Sequence, residues 1–269
     1  MAKGMALTIG LNSVDPAHYG GWSGNLVACE EDAKDMAHIA KTKKFAVKAL
    51  FTKSATRKQV FAEIEKAAQT LKSGDIFAMS FSGHGGQVPD LNSDEVDKKD
   101  ETMCLYDGEL IDDELYGEFA KFAPGVRILV FSDSCHSGTN VKAAYYRGRA
   151  AAPRYRNMPL DVEMKTYLQN QDFYDRILKD PRLKAAQDAV KASILLISGC
   201  QDNQLSADGD SNGLFTGTLL AVWRNGKFKG DYKKFRNEIA NLMPPEQSPN
   251  YYRAGVTDKK FEKQTPFTI

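Results

Sequence analysis

The sequence predicts an α/β protein built on a mostly parallel, doubly wound sheet. Several short apolar runs lack the polar alternation of a half-exposed strand, and helical patterns stand between them. Size points the same way. A chain of 269 residues whose strands and helices alternate throughout is long enough for one large core and needs no second domain. A single domain over residues 1–269 is therefore expected.

The elements follow in order. Ala6–Leu11 (ALTIGL) is apolar on both faces and reads as a buried strand. Cys29–Thr42 sets Ala33, Met36, Ala37 and Ala40 on one helical face. Ala46–Phe51 (AVKALF) is the second and least apolar strand. Thr56–Leu71 repeats the helical spacing with Val60, Ile64, Ala67 and Leu71, and Thr56 offers an N-cap hydroxyl. Asp75–Phe81 and Val126–Phe131 are the next strands, with a helix over Asp112–Phe122 between them. Helices are expected over Pro181–Lys191, Gly213–Arg224 and Asp231–Leu242, and a strand over Ser193–Ser198. The stretch Pro244–Pro249 holds three prolines and turns the chain before a last strand near Tyr251–Val256. Two stretches fit neither pattern: acidic, polar Pro89–Glu109 and the long Thr139–Asp180. Loops of such length inside a compact domain usually carry function or move.

Composition excludes several classes. The profile is 42% hydrophobic and 26% charged, so disorder and low complexity are out. Lysine and arginine number 36 against 35 acids, a net charge of +1. No global field recruits nucleic acid or an anionic membrane. The four cysteines stand far apart with no C-x-x-C pair, which argues against zinc ribbons and dithiol redox motifs. The N-terminal run is a poor signal peptide and no stretch has the length of a membrane span. A soluble, cytoplasmic protein is expected.

In open parallel sheets, ligands bind beyond the carboxyl ends of the strands. Three strands there lead into Ser82-Gly83-His84-Gly85-Gly86, Ser132-Asp133-Ser134-Cys135-His136-Ser137-Gly138 and Gly199-Cys200-Gln201-Asp202-Asn203-Gln204. If the first two strands are neighbours, an imidazole and a thiol meet at one edge, as a cysteine nucleophile and its base require. The glycines beside His84 leave backbone amides free for an oxyanion. The plain alternative is an inert buried thiol. A metal site from His84, Cys135 and His136 lacks the usual ligand spacing.

These motifs resemble the His/Cys dyad of metacaspases, within the caspase-like cysteine peptidases. The resemblance extends to Cys29-Glu30-Glu31-Asp32-Ala33, to Ile111-Asp112-Asp113-Glu114-Leu115 and to the third loop, so it runs from about residue 5 to 222. It implies a three-layer α/β/α sandwich of caspase-like type. It implies Cys135 as nucleophile, His84 as general base and acid, His136 as a bystander, and the amides of Gly85 and Cys135 as oxyanion hole. It divides the chain into a large-subunit-like part (about 1–141), a basic joint (about 142–180) and a small-subunit-like part (about 181–269).

Metacaspases resemble one another in an acidic pocket that accepts Arg or Lys, and the matching acids here are Asp32 and Asp133. A carboxylate pair facing a cation gains charge-assisted hydrogen bonds. Ser82 adds a hydroxyl, and Asp202 and Asp208 are weaker candidates for the pocket wall. The ordinary alternatives are a first-turn carboxylate for Asp32 and turn chemistry for the others. From Lys142 to Leu160 there are five bases (Lys142, Arg147, Arg149, Arg154, Arg156) and no acid. Self-cleavage between Lys142 and Lys165 is the sharp reading, a solvated basic loop the plain one. No organic cofactor is implied. Some metacaspases are activated by Ca²⁺, and Asp94, Glu95, Asp97, Asp100 and Glu101 crowd one loop ahead of Asp112 and Asp113. Asp100, Asp112 and Asp113 are the candidate ligands. A solvated acidic loop with Asp112 as helix N-cap is the alternative. The expected partners are protein or peptide substrates with basic residues, and the expected state is a monomer. Rival readings are a caspase-like peptidase cutting after Asp and a catalytically silent scaffold.

Overall fold

The computed structural model describes residues 2–91, 98–135, 154–200, 204 and 206–269. The chain opens with β1 (Gly4–Gly10), α1 (Cys29–Thr42), β2 (Ala46–Phe51), α2 (Arg57–Thr70) and β3 (Ile76–Ser82). Next come β4 (Gly85–Pro89), β5 (Lys99–Leu105), β6 (Gly108–Ile111), α3 (Asp112–Phe119) and β7 (Arg127–Asp133). From Arg154 it continues through β8 (Arg154–Tyr155), α4 (Leu160–Gln169), α5 (Gln171–Leu178), α6 (Pro181–Lys184) and α7 (Ala186–Ala189). Then follow β9 (Ser193–Ser198), β10 (Ala207–Asp208), α8 (Leu214–Trp223), α9 (Tyr232–Leu242), β11 (Asn250–Gly255) and α10 (Lys259–Glu262).

Six strands form the central sheet in the order β11-β9-β7-β3-β1-β2. All neighbours are parallel except β11, which runs antiparallel to β9. Side chains alternate between two cores, as the strand period of two requires. Phe77, Met79 and Phe81 of β3 face Val60 and Ile64 of α2 and Leu115 and Phe119 of α3. Ile76 and Ala78 of the same strand face the opposite core, with Met36 and Ile39 of α1, Phe215 and Leu219 of α8, and Phe235 and Ile239 of α9. The result is the α/β/α sandwich expected. Thr56 caps α2 by accepting from the Gln59 amide at 3.3 Å.

Pro89–Glu109 is not an irregular acidic loop. Its described part belongs to an antiparallel sheet, β4-β5-β6, with Asp100 only 1% exposed. Leu105 pairs with Gly108 around a two-residue turn at Tyr106-Asp107. Thr139–Asp180 contains α4 and α5. Their pattern hid them because Leu160, Met164 and Leu168 of α4 are exposed while Glu163 and Thr166 are buried. Asp112 is not the cap of α3: Ile111 stands there, and Asp112 begins the helix and accepts from the Asp113 amide at 3.0 Å. The Pro181–Lys191 helix divides into the single turns α6 and α7.

What matters for function is the register of β3 and β7. Ser82 pairs with Asp133, so His84 and Cys135 each stand two residues past a paired position on adjacent strands. No helix among the described residues is long and apolar enough to cross a membrane.

Candidate active site

His84 sits in the turn from β3 into β4. Its carbonyl accepts from the Cys104 amide at 2.9 Å, which ties the turn to β5. The ring Nε2 lies 3.0 Å from the Gly24 carbonyl. A carbonyl can only accept, so Nε2 carries the proton and Nδ1 is left as a basic lone pair. Nδ1 has no hydrogen-bond partner among the described residues. Trp22 packs on the ring with centroids 4.6 Å apart. Burial pushes the imidazole down to about 4; the Gly24 carbonyl opposes that and the Arg156 guanidinium reinforces it. His84 is therefore neutral at physiological pH.

Cys135 follows β7 and is fully buried. Its amide points the same way as that of Gly85. The Ser206 amide donates to Sγ, and Sγ lies 3.5 Å from the Ser206 carbonyl. Cys29, Cys104 and Cys200 are also free and buried; burial pushes the Cys29 thiol up to about 12, which makes it inert.

The centre of this edge is filled by Arg156, a residue of the chain's own basic segment. Its carbonyl oxygen accepts from the Gly85 amide at 2.9 Å and the Cys135 amide at 3.1 Å. Its amide donates to the Ser206 carbonyl at 3.0 Å. The two preceding residues pair antiparallel with Ala207 and Asp208 as β8 against β10. The guanidinium, 0% exposed, meets three carboxylates: Nη2 lies 2.7 Å from Asp32 and 3.0 Å from Asp208, and Nη1 2.8 Å from Asp133. Nη1 also donates to Ser82 Oγ at 2.8 Å and to the Asp133 carbonyl at 3.2 Å.

Neutral donors hold the acids in place. Asp32 accepts from the Gly213 amide and Asn212, each at 3.0 Å. Asp133 accepts from Ser206 Oγ at 2.6 Å and Thr216 Oγ1 at 2.8 Å. Asp208 takes the Val27 amide at 3.0 Å. Gly213 lines the pocket because a Cβ there would stand 2.5 Å from the guanidinium. Burial, and then the neighbouring Asp133, push Asp32 up to about 6 against the pull of Arg156. Burial works against the charge on Arg156, but its acidic neighbours outweigh it and hold the guanidinium charged. Three buried carboxylates around one site require a cation there.

The fold thus gathers Asp32, Ser82, His84, Gly85, Asp133, Cys135 and Asp208 around one residue. Asp202 and His136 lie outside the described residues, as do Asp94, Glu95, Asp97, Lys142, Arg147 and Arg149. Sequence reasoning missed Trp22 and Gly24, Ser206, Gly213 and Thr216, and it did not single out Arg156 within its basic run. Asp100, Asp112 and Asp113 are close enough for burial, then Glu101 and the other two acids, to push Asp112 well up. Among the described residues, however, no three His, Cys, Asp or Glu side chains form a group that could hold a metal ion.

Residues 3–261 match the family model described as the caspase domain. Metacaspase-1 of Kluyveromyces lactis is 29% identical over 91% of this chain and 63% of its own length. Metacaspase-1 of Schizosaccharomyces pombe is 30% identical over 63% of this chain and 46% of its own. The chain thus spans about half the length of several curated relatives it matches. The crystal structure of protein GSU0716 from Geobacter sulfurreducens superposes with a TM-score of 0.90 at 60% identity, covering 99% of both chains.

Proposed function

The chain belongs to the caspase-domain family of cysteine peptidases, and on that premise we propose that it is an endopeptidase cutting after Arg or Lys with a His84/Cys135 dyad. One observation carries the reading. Arg156 lies along the edge as a substrate would, its guanidinium among the acids and its carbonyl oxygen on two backbone amides. Those amides are the ones an oxyanion needs.

In the proposed reaction, His84 Nδ1 takes the proton of the Cys135 thiol as Sγ attacks the carbonyl carbon of the basic residue. The Gly85 and Cys135 amides hold the oxygen as it gains charge. The C–N bond breaks, and the departing amine takes a proton from His84. Water then attacks the thioester, giving its proton to His84, and releases the carboxylate and the thiol. The Gly24 carbonyl fixes the imidazole tautomer throughout.

The same placement supports the Arg156–Asn157 bond as the point of self-cleavage within the window 142–165. The part of that window before Arg154 lies outside the described residues. The substrates are protein or peptide chains bearing basic residues, no nucleic acid or membrane takes part, and the protein works as a monomer in the reducing cytoplasm. Calcium stays a proposal apart: the acids around Asp112 are hard oxygen donors, but among the described residues they do not form a metal-holding group, so no step passes through the ion. A peptide panel ending in Arg, Lys or Asp, run with and without Ca²⁺ beside a Cys135→Ala control, tests the reading. Turnover of the Arg and Lys peptides alone, lost in the control, is expected. A preference for Asp would overturn the pocket assignment, and equal rates in the control would overturn the nucleophile.

A further inference from the structure

The residues after Arg156 are held as firmly as Arg156 itself. Asn157 forms a bridge with Gly85, and the Met158 amide donates to the Gly85 carbonyl at 2.7 Å. Gly85 therefore grips the chain on both sides of the Arg156–Asn157 bond. The Met158 side chain is 1% exposed. It packs with Val14, Tyr19 and Cys104, and Trp22 closes over the same cluster. Gly86 completes the pocket, since a Cβ there would stand 2.7 Å from the Met158 methyl.

Apart from Val162, which packs on the same cluster from α4, the walls lie outside the segment that supplies Met158. Val14, Tyr19 and Trp22 come from the loop between β1 and α1, Gly86 from β4 and Cys104 from β5. The polar tip of Tyr19 is satisfied by the Leu105 carbonyl at 2.7 Å, and the polar groups nearest Gly86, the Thr102 hydroxyl and the Glu109 carboxyl, are bonded to each other. Trp22 touches both this pocket and the His84 ring. The pocket is thus part of the peptidase body, built beside the reacting bond.

We propose that this is a specificity subsite for the second residue beyond the cut, and that it selects an unbranched apolar side chain such as Met. The inference rests on the reading that the enzyme cuts after Arg or Lys. It adds that a substrate is read on both sides of the bond: a cation in the acidic pocket before it, an apolar side chain in this pocket after it. An acid there would be taken out of water with no partner.

The test uses two internally quenched peptides with Arg at the cut, identical except for Arg-Asn-Met in one and Arg-Asn-Asp in the other. Burial of a methionine side chain predicts a kcat/KM ratio of about tenfold or more in favour of Met. Gly86→Ala narrows the pocket, and the ratio then falls toward one whatever the absolute rates. The unaltered protein alone decides the matter if that variant does not fold. Equal rates for both peptides, each cut after Arg, would overturn the subsite and leave the basic specificity standing. Failure to cut either peptide after Arg would overturn the basic specificity and the subsite together.

Discussion

Replacing Arg156 by alanine in a Cys135→Ala background, where the chain stays whole, isolates the energetics of the acidic pocket. The guanidinium is 0% exposed and bridges Asp32, Asp133 and Asp208, all of them buried. Removing one partner of a buried ion pair costs about 3–5 kcal/mol. For a chain of this size that lowers Tm on the order of 10 °C. The loss depends on pH, with a definite sign. Asp32 is pushed up to about 6 from 3.8 even with the cation present. A carboxyl with a raised folded pKa binds more protons folded than unfolded, so stability falls as pH rises from about 4 to about 6. That window is worth roughly 3 kcal/mol in the parent, at 1.36 kcal/mol per unit. Without Arg156 the window widens upward, so the deficit is largest near pH 8 and shrinks near pH 5. Thermal melts of parent and variant at both pH values are the assay. A variant as stable as its parent at pH 8 would refute the view that Arg156 offsets the burial of these acids.

Four further outcomes follow from the same geometry. Gly213→Ala keeps an allowed backbone, φ −59°, but puts a methyl against the guanidinium; kcat/KM for Arg peptides should fall about 100-fold. His84→Ala should lower kcat by about 10²–10⁴, measured with the Arg peptide. With Arg156 standing for bound substrate, the His84 pKa of about 4 belongs to the occupied site; kcat should stay level as pH falls from 7 to 5, and a drop centred near 6.5 would contradict the buried placement. Glu109, fully buried and pushed up to about 8 chiefly by burial with Glu163 adding, destabilises the fold as pH rises from about 4.5 to 8; Glu109→Gln should melt higher than the parent above pH 8.

Much of this site is legible in the sequence because it is made of strand ends. The runs leading to Ser82 and Asp133 are apolar on both faces, so they sit centrally in a parallel sheet and place His84 and Cys135 together. Asp32 is readable as a pocket acid only through resemblance, since an acid in a first helical turn is ordinary. The partners that orient His84 and Cys135 are illegible for a different reason. Gly24 contributes a carbonyl, and Gly85, Cys135 and Ser206 contribute amides, which every residue type possesses. Trp22 lies in a loop with no periodicity to place it. The helix α4 was hidden because it buries Glu163 and exposes Met164 and Leu168, the reverse of an amphipathic pattern. Arg156 stood in plain view among five bases, and only three-dimensional contact separates it from Arg154, which is about half exposed.

We propose that Arg156 lies in its own active site as a substrate does. Incubating the purified chain and determining the N-terminal residues of its fragments tests that directly. A new N-terminus at Asn157, absent from the Cys135→Ala protein, is the predicted result. A chain that stays whole while it hydrolyses Arg peptides, or one cut only at another bond, would contradict it.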